Sequence, residues 1–406
     1  MSYRFVRITN YYPGFLKSFY SRNPGIESAS YDEHYLRMIE DSFEAATCYT
    51  KNLNSIGVKA SDIISNAVAL QNSWAKENKL SDGTPVNEII LEQLKHFKPD
   101  VIWIDDFSFF DEDWKSKLIK NVPSIKLMYG HICAPYNSEM LEKFRMLDGM
   151  FTCTPCFKKE LESIGIKCHL LYHSFEKTIL NSINRDNQFA DSDFVFTGSL
   201  YTGSGFHRTR IEYIEKMLKA GINMDLYCNL ESWGKIMAKK GAYNVIRMLK
   251  KTRQDKLIDK IPVLNKNKSY GDTRIKYYSK KLIDSSKSPV FGYDMYKLLS
   301  KAKICFNIHG EVAQLCAGNI RMFEATGVGS CLVTDWKENI ADLFETGKEI
   351  VTYNSVEECI DKVKWLISHP LEREKIAIAG QQKTLAEHTV ENRSRQLKNI
   401  ITEALK

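Results

Sequence analysis

The sequence predicts an α/β chain built from two doubly wound domains in series. Three observations carry this reading. At 406 residues the chain is too long for one ordinary core and long enough for two of roughly 200 residues each. Short β-branched runs alternate with amphipathic stretches, the pattern of a parallel sheet with helices on both faces. A polar stretch, Asn181–Asp193 (NSINRDNQFADSD), interrupts the alternation, and the pattern then restarts.

Each element follows in order. Arg4–Thr9 (RFVRIT) reads as a strand and Tyr11–Gly14 as the loop after it. Asp62–Ala67 is a second apolar run. Asn87–Phe97 has helical spacing through Ile90, Leu91, Leu94 and Phe97, and stops at Lys98-Pro99. Val101–Ile104 is a strand ending on Asp105 and Asp106, and Ile125–Tyr129 is a strand running into Gly130-His131. Gly149–Thr152 and Cys168–Tyr172 bracket the helix-like Cys156–Ile164. The second half opens with the strand Phe194–Thr197, the loop Gly198–Gly205 and the helix Arg208–Ala220. Met224–Cys228, Ile304–Ile308, Cys331–Thr334 and Glu349–Tyr353 are its further strands. The boundary falls at 180/181. Sheets of this kind bind ligands beyond the carboxyl ends of their strands, so residues just after strands are the candidates for function.

Composition narrows the class. With 43 % hydrophobic and 26 % charged residues, the chain is neither disordered nor collagen-like nor a disulfide-stapled mini-protein. No apolar run approaches the ~18–20 residues of a membrane span. The opening MSYRFVRITNYYPG lacks the apolar core of a signal peptide, so a cytoplasmic chain with reduced, buried cysteines is expected. Net charge is +7, but residues 234–287 hold sixteen Lys/Arg against four acids, a local +12 that leaves −5 on the rest. This basic insertion fits a solvated surface, an anionic membrane face or an anionic acceptor. No nucleic-acid motif accompanies it, so no nucleic-acid partner is expected.

Two stretches suit an anionic ligand. Gly198-Ser199 opens a Gly-rich turn into a helix whose first turn carries Arg208, although the spacing is neither GxGxxG nor a P-loop. In AGNIRMFEATG, Asn319 suits a helix start and Gly327 a stop. Arg321 and Glu324 then share one face within a turn of the N-terminus, as a diphosphate and a ribose would need. A surface Arg–Glu pair has the same spacing. Asn307 and His309, at the end of the strand Ile304–Ile308, are further candidate ligand contacts. Asp105 and Asp106 are either a base or strand-end caps, and His131 is a second candidate base. Cys153-x-x-Cys156 has redox or metal spacing, but no second pair stands at metal-site distance in sequence, so no metal is expected.

Three stretches, KLLSKAKICFNIHG, NIRMFEATGVGSCLVTDWKENIADLFETGKEIVTY and IAIAGQQKTLAEHTVENR, resemble the GT-B glycosyltransferases of the CgeB-like group. Weaker similarity occurs in NYYPGFLKSFY, DVIWIDDFSFFD, YGHICAP and FVFTGSL. The resemblance implies two Rossmann-like domains facing across a cleft, 1–180 for the acceptor and 181–384 for a nucleotide-sugar, with a last helix at about 385–406 packing back on the first. It implies no cofactor and no metal. FEATGVG resembles the second half of an E-x7-E element, which makes Glu324 the ribose-binding carboxylate. The first Glu of that element would fall at Cys316, with Glu311 reachable only across a longer loop, so the stereochemistry stays open. Arg208 resembles the residue that neutralises the diphosphate, and His131 the histidine at the donor sugar.

The expected function is transfer of a sugar from a nucleotide-sugar to a glycan or lipid-linked glycan, in bacterial surface polysaccharide synthesis. Donor binding falls to Gly198, Ser199, Arg208, Asn307, His309, Asn319, Arg321 and Glu324, and catalysis to His131, Asp105 or Asp106. The acceptor enters from the N-terminal side, around Tyr11–Gly14 and Asp105–Asp106. The basic insertion would hold the enzyme at the inner face of an anionic membrane. A nucleotide-sugar epimerase of the same fold and a non-catalytic scaffold are the alternatives.

Overall fold

A computed structural model of the chain describes residues 2–41, 49–183, 191–202, 208–266, 268, 275–310 and 315–406. Six strands form the first sheet: β1 (Arg4–Thr9), β2 (Lys59–Ile64), β3 (Val101–Ile104), β4 (Leu127–Ile132), β5 (Gly149–Thr152) and β6 (Cys168–Leu170). Their order is β2-β1-β3-β4-β5-β6. The second sheet holds β7 (Ser192–Leu200), β8 (Asp225–Leu230), β9 (Ser286–Lys287), β10 (Ala302–Phe306), β11 (Cys331–Asp335) and β12 (Val351–Tyr353), ordered β12-β11-β10-β7-β8-β9. Every neighbouring pair is parallel. The second order is that of a dinucleotide-binding doubly wound sheet.

Parallel strands covered on both sides are apolar at successive positions, and β3 (VIWI) is buried at all of them. Its side chains alternate between two cores. Ile102 and Ile104 meet Ile90 and Leu94 of the helix Val86–Phe97, while Val101 and Trp103 meet Tyr49, Leu53 and Phe151. The last helix, Val390–Ala404, adds Val390, Leu397 and Ile401 to that second core. In the other direction, Phe175, Ile179 and Ile183 join the core of the second sheet. The chain thus crosses between the domains twice.

Three readings change. β7 runs to Leu200, so Gly198 and Ser199 lie within the strand rather than in a loop, because β8 supplies backbone partners as far as Leu200↔Leu230. The basic segment forms the crossover from β8 to β9. It includes the helix Trp233–Lys251, and its last two residues are β9 itself. The expectation of reduced cysteines throughout is also overturned. Cys133 is bonded to Cys153 and Cys156 to Cys316, pairs 20 and 160 residues apart that only tertiary packing brings together. The other described cysteines are free and buried. Among the described residues, no helix is long and apolar enough to cross a membrane.

Candidate active site

Strand order reverses between β1 and β3 in the first sheet and between β7 and β10 in the second. Those crevices are where the carboxyl ends of parallel strands leave room for a ligand.

In the first domain, Asp105 follows β3 and His131 lies near the end of β4. Asp105 Oδ2 stands 2.5 Å from Arg7 Nη2, and its Oδ1 accepts from Trp103 Nε1 at 2.5 Å. His131 Nδ1 lies 3.2 Å from the same Oδ1. Burial pushes Asp105 up, but the Arg7 charge and the hydrogen bonds from His131 and Trp103 outweigh it and hold the carboxyl well below its usual range. Asp105 is therefore a fixed anion rather than a free base. Its Oδ1 faces His131 Nδ1 and so orients the ring, whose Nε2 on the other side lies 3.2 Å from Cys133 Sγ. Asp106 is committed elsewhere: it accepts from Ser65 Oγ at 2.5 Å and from the Ser108 N–H at 3.0 Å, closing the turn after β3. The structure joins Asp105 to His131 and separates Asp106 from both.

Sequence reasoning missed Asp62 and Arg7. They stand opposite each other in the β1–β2 register, and both are buried. Burial lifts Asp62 to about 6, against the pull of Arg7 and of the Thr50 hydroxyl 2.5 Å away. The signal was present in the sequence, since a charge inside an otherwise buried parallel strand needs a partner.

In the second domain, Arg208 is exposed and pairs with Glu212 at 3.0 Å. Arg210, two residues on, turns inward. Its Nη1 donates to the Ser199 carbonyl at 3.3 Å and its Nη2 to the Ile308 carbonyl at 3.1 Å, tying the end of β7 to the segment after β10. The expected turn at 203–205 and the alternative Glu311 lie outside the described residues. His309 is fixed by Asp335 at the end of β11, whose Oδ1 lies 2.7 Å from His309 Nδ1 and accepts the His309 N–H at 2.8 Å. Burial raises Asp335, and His309 and Lys337 together bring it below its usual range. Asn307 is knitted into the sheet: its Nδ2 donates to Thr334 and its carbonyl accepts from Tyr353.

The helix Ile320–Gly327 is capped by Asn319, whose side chain accepts the Arg321 N–H at 2.9 Å. Arg321 Nη1 lies 2.8 Å from Glu324 Oε2, and the Tyr296 hydroxyl donates to Glu324 Oε1 at 3.2 Å. Burial lifts the Glu324 carboxyl against the pull of Arg321. The pair is thus internal, unlike a surface Arg–Glu contact.

The two halves meet here. A Cβ added to Gly318 would come within 2.6 Å of the Cys153 carbonyl, and Ile320 packs on the core of the first sheet. The N-terminus of the Arg321 helix therefore stands over the ends of β4 and β5, on the side of His131. Tyr11 is buried and locked to Asn66 by two hydrogen bonds, Tyr12 and Pro13 are exposed, and Pro13 already starts the helix Pro13–Arg22. A separate cavity of about 880 Å³ opens between Arg22, Asp41 and Lys51 of the first domain and Tyr293 and Lys297 of the second.

Residues 249–399 match the family described as glycosyl transferase-like. Among curated proteins no sequence matches. A glycosyltransferase from Rickettsia africae superposes with a TM-score of 0.56 at 10 % identity, over 100 % of this chain and 99 % of its own. An alpha-glucosyltransferase in complex with UDP-glucose and DNA superposes with a TM-score of 0.54 at 13 % identity, over 99 % and 100 %. HepE of Anabaena, in complex with UDP and glucose, gives 0.53 at 10 % identity, over 99 % and 100 %. The fold is GT-B, two Rossmann-like domains facing across a cleft. Family match and fold together support a sugar-transferring enzyme.

Proposed function

We propose that the chain transfers a sugar from a nucleotide-sugar to an acceptor hydroxyl within the CgeB-like group. The carrying observation is the pairing of unlike chemistry across one cleft. An imidazole oriented by an ionised Asp105 lies on one side, and a capped helix N-terminus bearing Arg321 lies on the other. Transfer builds negative charge on the departing diphosphate, and fixed cations with free N–H groups stabilise it without reorganising. Arg210, Arg321 and the helix N-terminus supply that charge from this chain, without a metal at the leaving group. His131 Nε2 receives the acceptor proton. Because neighbours of the same fold are solved with UDP or UDP-glucose, UDP-sugars are the first donors to test.

The acceptor we propose is a lipid-linked glycan of a bacterial surface polysaccharide, met at the cytoplasmic face of the membrane. The supporting observation is the helix Trp233–Lys251. Ile236, Ile246 and Leu249 are buried on one side, while Trp233, Met237, Val245 and Met248 are exposed along another, amid Lys240, Arg247 and Lys251. An apolar stripe among cations suits an anionic bilayer surface.

A thermal-shift panel of nucleoside diphosphates and their sugars, followed by product analysis, tests the reading. Stabilisation by a nucleotide-sugar with acceptor-dependent release of the diphosphate is expected. Acceptor-independent conversion of the sugar would instead show an epimerase, and no stabilisation by any member a scaffold. Vesicle flotation checks the membrane arm. Binding to anionic but not zwitterionic vesicles, weakened by Trp233→Ser with Met248→Ser, is expected, and binding indifferent to both salt and those changes overturns it.

A further inference from the structure

We propose that the chain, once its thiols are reduced, binds a soft divalent cation of the zinc class between Cys133, Cys153 and His173. The three come from adjacent parts of the first domain. Cys133 lies just past β4, Cys153 just past β5 and His173 past β6. Parallel strands that end side by side bring their next residues to one edge, and here two sulfurs and an imidazole nitrogen lie within 4.8 Å of one another. Zinc–ligand bonds of about 2.0–2.3 Å in a tetrahedron need neighbouring ligand atoms about 3.5–3.8 Å apart, which this spacing accommodates.

The position of the first sulfur is fixed by its neighbours. Cys133 Sγ accepts the backbone N–H of Cys153 at 3.0 Å and lies 3.2 Å from His131 Nε2. Two sulfurs and one nitrogen leave the fourth position of a tetrahedron open. Three protein ligands with one open position is how zinc is held where it exchanges a ligand.

In the structure Cys133 and Cys153 form a disulfide, and that state excludes the cation. A phosphine or dithiol reductant supplies two electrons. The S–S bond breaks and each sulfur takes a proton; with a phosphine, water supplies both protons and the oxygen of the phosphine oxide, and a dithiol gives up its own two hydrogens and leaves as a disulfide. Cation binding then releases the two thiol protons, and His173 contributes a lone pair. The site borders His131 of the proposed sugar-transfer reading, yet its test stands apart from that reading, because it asks only whether the first domain takes up metal.

The test uses the full chain, reduced with a phosphine, freed of metal by a chelator and titrated with cobalt(II). One equivalent should bind, with sulfur-to-cobalt charge-transfer absorption and the visible bands of a tetrahedral site, and zinc should displace it. Cys133→Ser and His173→Gln should each weaken cobalt binding about tenfold or more. His173 is only partly buried, so its variant should keep the parent's circular dichroism and melting temperature, which separates ligand loss from misfolding. No uptake by the reduced chain, equal uptake by the oxidised chain, or unaltered uptake in both variants overturns the proposal.

Discussion

Both domains place a histidine beyond or at the end of a central strand and fix it with an aspartate from a neighbouring strand, yet the two pairs differ in their surroundings. His131 is partly exposed, at 21 %, and its Asp105 is anchored from behind by Arg7. His309 is sealed at 1 %, and its Asp335 takes both the ring and the main-chain N–H of the same residue. An anchored carboxylate behind an accessible ring makes a base that can meet a substrate proton. A carboxylate that grips ring and backbone together sets the conformation of a loop. On the proposed function, the same two residue types divide between proton transfer on one side of the cleft and donor positioning on the other.

The largest effect should come from breaking the first pair. Asp105→Asn removes the anion that sets the His131 tautomer, and loss of an oriented base costs about 10²–10⁴ in rate. We expect kcat to fall by about 10³ with little change in donor KM, whereas Asp335→Asn should raise donor KM and spare kcat. Steady-state kinetics on both variants decides. Equal effects on kcat would remove the proposed division of labour.

Next comes the helix N-terminus. Glu324 is buried at 2 % beside Arg321, so Glu324→Ala leaves a buried cation without its partner, at a cost of about 3 kcal/mol in stability. Glu324→Gln keeps the shape and a hydrogen-bonding group. It should fold normally and lose about tenfold in nucleoside diphosphate affinity, read by denaturant unfolding alongside calorimetric titration. A Gln variant with parental affinity would show that Glu324 holds Arg321 rather than ribose.

A smaller effect separates two arginines on one helix. Arg210→Ala should weaken donor binding about 30-fold, near the 2 kcal/mol of a hydrogen bond to a charged group, while Arg208→Ala should leave it unchanged. A titration in which Arg208→Ala is the weaker binder would reverse the assignment.

That pair of arginines shows where the sequence stops being legible. Strand–helix alternation and the polar break foretold both sheets, and the helices Val86–Phe97 and Pro155–Ser163 begin within a residue of their expected starts. Local signals also suffice for the Asn319 cap and the Arg321–Glu324 spacing, because three residues on a helix always share a face. Which of Arg208 and Arg210 turns inward depends on the orientation of the helix against β7 and β10, and no local pattern encodes it. The same holds for Cys133 and Cys316, which reach the Cys153-x-x-Cys156 stretch only after folding. Asp62 and Arg7 were visible as charges in apolar strands, but their pairing needed the β1–β2 register.

The gentlest test probes the network behind His131. The folded-state value for Asp62, about 6, lies above its ordinary 3.8, so the native chain binds this proton more tightly than the unfolded one. Stability from this group is then present below about pH 4 and lost as pH rises toward 6, the reverse of Asp105 and Asp335, whose contributions are lost only in acid. Asp62→Asn should abolish the decline between pH 4 and 6. At pH 7 it should leave the chain more stable by about 1 kcal/mol, less than the roughly 3 kcal/mol of a two-unit shift, because Arg7 gives up a charged neighbour. Urea unfolding at four pH values between 4 and 7.5 reads the difference. Parallel curves for parent and variant would mean that Asp62 stays ionised throughout, and that Arg7 neutralises Asp62 and Asp105 together.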